Sequence, residues 1–257
     1  MANLVLTITN QETWLKTKPI DSQQLQSNEK LKVVIGQKFA PLNFEFAENQ
    51  HVKFWVSKQS FLYAFTPHIS LTQDGVDVLT PKPLVTADQF YAIAPQTSLD
   101  KLTPLVEPIN QTLIKYEINT PLRICHFLAQ ICEESDQFNA VREYADGSEY
   151  EGWAELGNTQ EGDGKRFLGR GLTMITGRSN YQDCGNGLGI DLIANPELLE
   201  EIPYSCLSAG WYWNTRNLNN LADQDRFHDI TIAINGGENG IEARLANLQR
   251  AKQVFGI

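Results

Sequence analysis

Between Glu133 and Asp163 the chain carries ten carboxylates and a single base, Arg142. Carboxyl groups do chemistry in pairs. One that holds a proton and one that does not can serve as general acid and general base on a glycosidic bond. A solvated acidic loop has the same composition, so charge alone leaves both readings open. Other chemistries have less support. His51, His68, His126 and His228 are scattered and no HExxH is present, so no metal site is expected. There is no GxSxG and no phosphate loop ending in GKS or GKT. The glycine-rich GNGLG at 185–189 follows no clear strand and reads as a turn. Trp153, Tyr181, Trp211, Tyr212 and Trp213 could offer flat faces to sugars, although WYW at helical spacing also suits a core.

The acidic run begins where a helix should stop. Thr120-Pro121 opens PLRICHFLAQICEES, with proline at the first helical position. Apolar residues cover most of its circumference. Arg123, His126, Gln130, Glu133 and Glu134 fall in one polar sector of about 100°. That sector must meet bulk water or a polar cleft. Upstream, Thr86 and Gln89 form a capping box, with Val85 and Phe90 as the matching staple. Ser98 is placed to cap a second helix. YSCLSAGWYW reads as a buried helix, ITIAI as helix or strand, and Ile241 to Phe255 as a helix stopped by Gly256.

The first 80 residues follow a different pattern. Leu4–Thr9, Leu31–Ile35, Leu42–Phe46, His51–Val56 and Phe61–Phe65 are short apolar or alternating runs, which predicts five strands in a small all-β barrel. TQDGVDVLTPKP, with Gly75, Pro81 and Pro83, reads as a linker. The expected domains are therefore 1–80 and 84–257.

The 257 residues, 42% hydrophobic and 20% charged, are enough to bury a core without disulfide or metal staples. Cys125, Cys132, Cys184 and Cys206 show no CxxC spacing and are expected to be buried free thiols. No apolar run approaches the ~18 residues of a membrane span, so no membrane partner is expected. The start lacks a basic n-region, which predicts no signal peptide, synthesis in the cytoplasm, and release by lysis or a dedicated export machine. The net charge of −10 falls entirely within residues 81–257. That is the wrong sign for a phosphate-binding surface and argues against nucleic acid as a partner.

FLAQICEESDQF, VREY, YEGW, LGNTQEGDGKRFLGRGLTMITGRSNY, SAGWYWNTRNLNNLAD and INGGENGIEAR, in this order, resemble glycoside hydrolase family 19 from about Thr86 to Gly256. The resemblance is nearest to compact bacterial and phage endolysin-type forms, which lack the long loops of plant chitinases. It implies a mainly α, lysozyme-like catalytic domain with a small β element. The implied reaction is inverting hydrolysis of β-1,4 links next to N-acetylhexosamine, by a monomer and without a cofactor. It places the general acid at Glu134 and the general base at Glu143. Thr176 matches the hydroxyl that holds the attacking water. Asn180, Asn235, Tyr181 and Arg244 take substrate-binding positions. The local chemistry agrees: Glu134 ends a buried helix, an environment suited to a proton donor, while Glu143 follows Arg142 in a loop. Three positions depart from the family pattern. Glu133 replaces a histidine, Met174 a glutamine and Ile232 an arginine. TWLKTKPIDSQQLQ with LKVVIGQKFAPL resembles bacterial Src-homology-3-like modules, many of which grip cell-wall polymers; a packing or linker role without ligand is the equal alternative. The expected partner is a polysaccharide, peptidoglycan before chitin. A non-catalytic glycan-binding protein on the same fold is the alternative.

Overall fold

The structure, a computed structural model, describes residues 3–79 and 83–257. Thr80, Pro81 and Lys82 of the expected linker lie outside the described residues. The chain divides into two compact units, Met1–Lys82 and Pro83–Ile257.

The N-terminal unit consists of short strands: β1 (Leu4–Ile8), β2 (Thr13–Lys16), β3 (Lys30–Val33), β4 (Lys38–Phe39), β5 (Phe44–Ala47), β6 (His51–Trp55), β7 (Phe61–Phe65), β8 (Ile69–Gln73) and β9 (Val76–Asp77). They form two antiparallel sheets, ordered β4-β1-β8-β9 and β3-β2-β7-β6-β5. Sequence patterning predicts five strands in one barrel; the unit has nine among the described residues, in two sheets. Two-residue strands such as β4 and β9 are too short to show alternation. Where alternation exists it sets the faces. Leu4, Leu6 and Ile8 of β1 point into the core with Leu15, Val52, Phe54 and Ala64. By the same two-residue period, Trp14 and Lys16 of β2, Lys53 and Trp55 of β6, and Phe61, Tyr63 and Phe65 of β7 stand on the opposite face of the five-stranded sheet.

The C-terminal unit is mainly helical: α1 (Ala87–Ile93), α2 (Leu99–Lys115), α3 (Pro121–Glu134), α4 (Asp163–Arg166), α5 (Arg178–Leu188), α6 (Tyr204–Thr215), α7 (Leu218–Asp223), α8 (Phe227–Asn235) and α9 (Ile241–Phe255). The capping box at α1 is formed on both sides, with the Gln89 N–H donating to Thr86 Oγ1 and the Thr86 N–H to Gln89 Oε1. Ser98 occupies the cap position of α2 without a side-chain hydrogen bond. At α3 the Thr120 hydroxyl accepts the Arg123 N–H, and Pro121 follows where a missing donor costs nothing.

α3 is enclosed on nearly every side and packs along α9. Phe127 meets Trp213 of α6 edge to face, which makes Trp213 a core residue. A second apolar cluster joins Phe167, Tyr181, Cys184, Leu192 and Leu199. All four cysteines are buried free thiols. GNGLG is not a free turn. Its first four residues are the last turn of α5, and Gly189 ends that helix at φ +75°. The glycines serve close approach: a Cβ on Gly187 would lie 2.4 Å from the Trp211 indole nitrogen. Period analysis cannot see a glycine required by a neighbour 24 positions away. Finally, Arg142, Arg170 and Ile175 pair as isolated β-bridges, a minimal β element beside the helices.

Candidate active site

Glu134 stands in the last turn of α3, with its side chain 17% exposed. Sequence reasoning gave it a desolvated, apolar setting; its actual surroundings are polar. Arg244 of α9 donates from Nη2 to Glu134 Oε1 at 2.6 Å, from Nη1 to Gln130 Oε1 at 2.8 Å and from Nε to the Asn239 carbonyl at 3.1 Å. Gln130 in turn donates to Thr231 Oγ1 of α8 at 2.9 Å. The polar sector of α3 around Gln130 therefore faces a buried cluster, while Arg123 at its start reaches a part-exposed Asp223. Glu134 Oε2 has no hydrogen-bond partner among the described residues. Glu133 turns toward the loop before α9, its Oε1 2.7 Å from where a Cβ on Gly240 would stand.

The chain leaves α3 through a tightly bonded loop. The Gln137 and Ala140 amides donate to the carbonyls of Cys132 and Ser135, and Gly171 N–H to Val141 O. Glu143 follows on the small β element, its own amide bonded to Gly169 O at 2.9 Å. Its carboxylate has two fixed donors, the Gly169 N–H to Oε1 at 2.8 Å and the Tyr150 hydroxyl to Oε2 at 2.9 Å. Burial, then the neighbouring Glu143 carboxylate, pushes Tyr150 above the usual phenol range, so its proton stays available for donation. Two of the carboxylate's roughly four lone-pair sites remain free.

Thr176 lies beside this carboxylate. A Cβ on Gly169 would meet Thr176 Oγ1 at 3.2 Å and Glu143 Oε2 at 3.3 Å, so a larger residue there would press on both groups. The Thr176 hydroxyl donates to Met174 O at 2.9 Å, leaving its lone pairs open as acceptors. Asn180 braces the same turn by donating to Thr176 O at 2.7 Å. Met174 sits at the tip of the 170–175 hairpin with φ +48°, a strained conformation for a long side chain. Asn235, at the end of α8, donates weakly toward the Asn239 carbonyl that Arg244 also uses, which ties it to the Glu134 side of the site.

Two residues expected to touch substrate are enclosed instead. Tyr181 has no exposed surface; its hydroxyl donates to Leu168 O and accepts from Arg170 Nη1. It braces the β element from beneath and cannot stack on a sugar. Arg244 is 4% exposed and its guanidinium is spent on Glu134, Gln130 and Asn239, so it fixes the Glu134 carboxylate. Of Trp153, Tyr181, Trp211, Tyr212 and Trp213, Trp153 is the open one, 53% exposed and 5.6 Å from the Tyr150 ring. Tyr150 lies in the YEGW motif, but nothing in that motif shows that its hydroxyl donates to Glu143.

Many carboxylates of the acidic run prove to be individually engaged. Glu151 accepts two backbone amides, those of Gly162 and Gly164, at 2.8 Å each. Asp163 is buried behind Arg178, which holds its carboxyl below the usual range. Ser148 and Lys165 do the same for Asp146. Asp136 accepts the Tyr144 hydroxyl at 2.7 Å. These acids fold the loop that carries Glu143.

Residues 131–234 match the glycoside hydrolase family 19 model described as chitinase class I. A family 19 domain-containing protein of Haemophilus influenzae is 40% identical over 101 residues, 38% of this chain and 48% of that one. Endochitinase 1 of Theobroma cacao is 45% identical over 70 residues, 27% of this chain and 21% of that one. The chain thus spans about half or less of the curated relatives it matches. Chitinase C from Streptomyces griseus superposes with a TM-score of 0.56 at 22% identity, over 68% of this chain and 93% of that one. A class IV chitinase from Zea mays gives 0.56 at 20% identity, over 68% and 94%. The chain carries a glycoside hydrolase family 19 domain, on a fold shared with these chitinases.

Proposed function

We propose that the C-terminal unit is an inverting glycosidase that cuts β-1,4 links next to N-acetylhexosamine. The observation that carries this reading is the pair of carboxylates, each held by different fixed donors, with a threonine hydroxyl beside the second. Glu134 gives a proton to the leaving glycosidic oxygen. Arg244 fixes Oε1, so the proton travels from Oε2. A water attacks the anomeric carbon from the opposite face as that bond breaks. One of its protons goes to Glu143, and its other O–H donates to Thr176 Oγ1, which orients the oxygen lone pair toward carbon. Each turnover leaves Glu134 ionised and Glu143 protonated, and exchange with solvent resets both. Asn180, bonded to the Thr176 carbonyl, and Asn235, at the turn that Arg244 holds, are the amides that would grip substrate, and Trp153 offers a sugar face. The relatives' names point to chitin-type polymers. The compact form of the domain, with Met174 and Ile232 in place of polar residues, favours peptidoglycan, a polymer of the same linkage.

The test is mass spectrometry of products from purified peptidoglycan and from chitin hexamers. We expect new reducing ends on peptidoglycan, with chitin cut more slowly. Glu134→Gln and Glu143→Gln should each lower turnover by about 10²–10⁴-fold with the fold intact. If both keep more than about a tenth of the rate, the acid and base are misassigned. No cleavage of either polymer would support the non-catalytic, glycan-binding alternative.

A further inference from the structure

The N-terminal unit contains a cavity of about 350 Å³ whose walls include Trp14, Lys16, His51, Phe65 and His68. Lys16 is 6% exposed. One ammonium proton goes to the Ile20 carbonyl at 2.8 Å, and a second points at His51 Nε2, 3.1 Å away. His51 Nδ1 donates to Asn49 O at 2.7 Å, which leaves Nε2 bare to accept from Lys16. The third proton has no acceptor among the described residues, and Lys16 forms no ion pair there. Burial lowers both Lys16 and His51 from their ordinary values. A cation this enclosed is costly without a counter-charge. Of the two carboxylates on the rim, Glu12 pairs with Lys32 at 2.7 Å, and Asp21, which also accepts the Gln23 amide at 2.7 Å, acts on Lys16 only through space and forms no ion pair with it.

The cavity does not stand alone. Lys16 is in register with Tyr63 across β2 and β7. From Tyr63 the same sheet face continues to Phe61, 5.8 Å away between ring centres, and on to Trp55, a further 6.0 Å. Lys53 lies over this pair, 4.6 Å from the Trp55 ring and 4.3 Å from Phe61. The rings stand edge-on or tilted to one another, at 85° and 59°, and so offer edges and faces in turn to a run of sugars; Lys53 is already paired with Glu45 at 2.9 Å, so Lys16 is the cation left to suit negative charge. We propose that the cavity takes the anionic group, a carboxylate or a phosphate, of an acidic glycan whose sugar rings lie along this aromatic strip. The choice of a glycan over another anion rests on the hydrolase reading of the C-terminal unit.

The test uses the full chain carrying Glu134→Gln, in affinity gels containing glycol chitin, carboxymethyl chitin or phosphorylated chitin. These share a backbone and differ in charge. We expect at least one charged polymer to retard the protein more than glycol chitin does, and its identity tells carboxylate from phosphate. Adding Lys16→Met should remove that excess, raising Kd about tenfold. Lys16→Arg should keep most of it, and Trp14→Ala should weaken binding if Lys16→Met fails to fold. Equal retardation by neutral and charged polymers overturns the proposal. So does excess retardation that survives both Lys16→Met and Trp14→Ala, or oligo(dT) binding more tightly than either charged chitin. Lys16→Met alone, with Glu134 intact, should hydrolyse soluble chitin oligomers at the parent rate. A parent chain that hydrolyses nothing speaks against the glycosidase reading and leaves the gel result standing.

Discussion

Arg244 is the residue on which the proposed acid, Glu134, depends for its direction, and it bears none of the marks of a catalytic group. It lies 110 positions from Glu134 and is nearly enclosed. Arg244→Met should leave Glu134, Gln130 and the Asn239 carbonyl without their donor. We expect a loss of about 2–4 kcal/mol in urea unfolding, scaled below a fully buried pair because Glu134 keeps some exposure. Turnover should fall through kcat more than KM, since the acid loses its direction rather than the substrate its grip. An unchanged kcat with only lowered stability would reduce Arg244 to a structural role. Glu134 and Glu143 are nameable from sequence because the run that contains them has a motif. The Arg244 partnership and the Tyr150 donor are not, because each depends on a contact that only the folded chain makes.

Glycine acts at the level of elements here. α5 and α6 come close enough that Gly187 faces the Trp211 indole with no room for a methyl group. Gly187→Ala should cost about 1–3 kcal/mol by forcing the ring to move, measured as a shift in the urea midpoint at constant slope. A neutral result would mean that the indole yields freely. α1, α3 and α9 could be read from their caps and periods, since those signals are local. β4 and β9 could not, because two-residue edge strands take their place from pairing rather than from composition; β2 and β8 are interior strands, and β8 does alternate, with Ile69 and Leu71 buried, yet neither is among the strands that patterning predicts. The 142–175 element is likewise built from isolated bridges, and only the resemblance to a family suggested it.

For the molecule as a whole, each unit has a separate apolar core, one around Leu6, Val52 and Phe54 and another around Phe127, Trp213 and Leu248. A chain of residues 84–257 should therefore fold by itself and still cleave soluble oligosaccharides, as circular dichroism and product assay would reveal. Aggregation of that piece would show that the units need each other. Acid should weaken both. Burial lowers His51 and His68 in the first unit and His126, 0% exposed, in the second, below the ordinary 6.5. The unfolded chain then binds protons more readily than the folded one as pH drops through 6.5. Stability is thus full above that value and is lost below it. Urea midpoints at pH 7.5 and 5.5 should differ in that direction, and His126→Gln should flatten the C-terminal share. The bond between α3 and α9 also has a consequence in time. A ribosome finishes α3 long before it reaches Arg244. Until α9 emerges and docks, Glu134 has no fixed direction. The order of synthesis works as a safety catch, keeping the proposed site unassembled on every nascent chain.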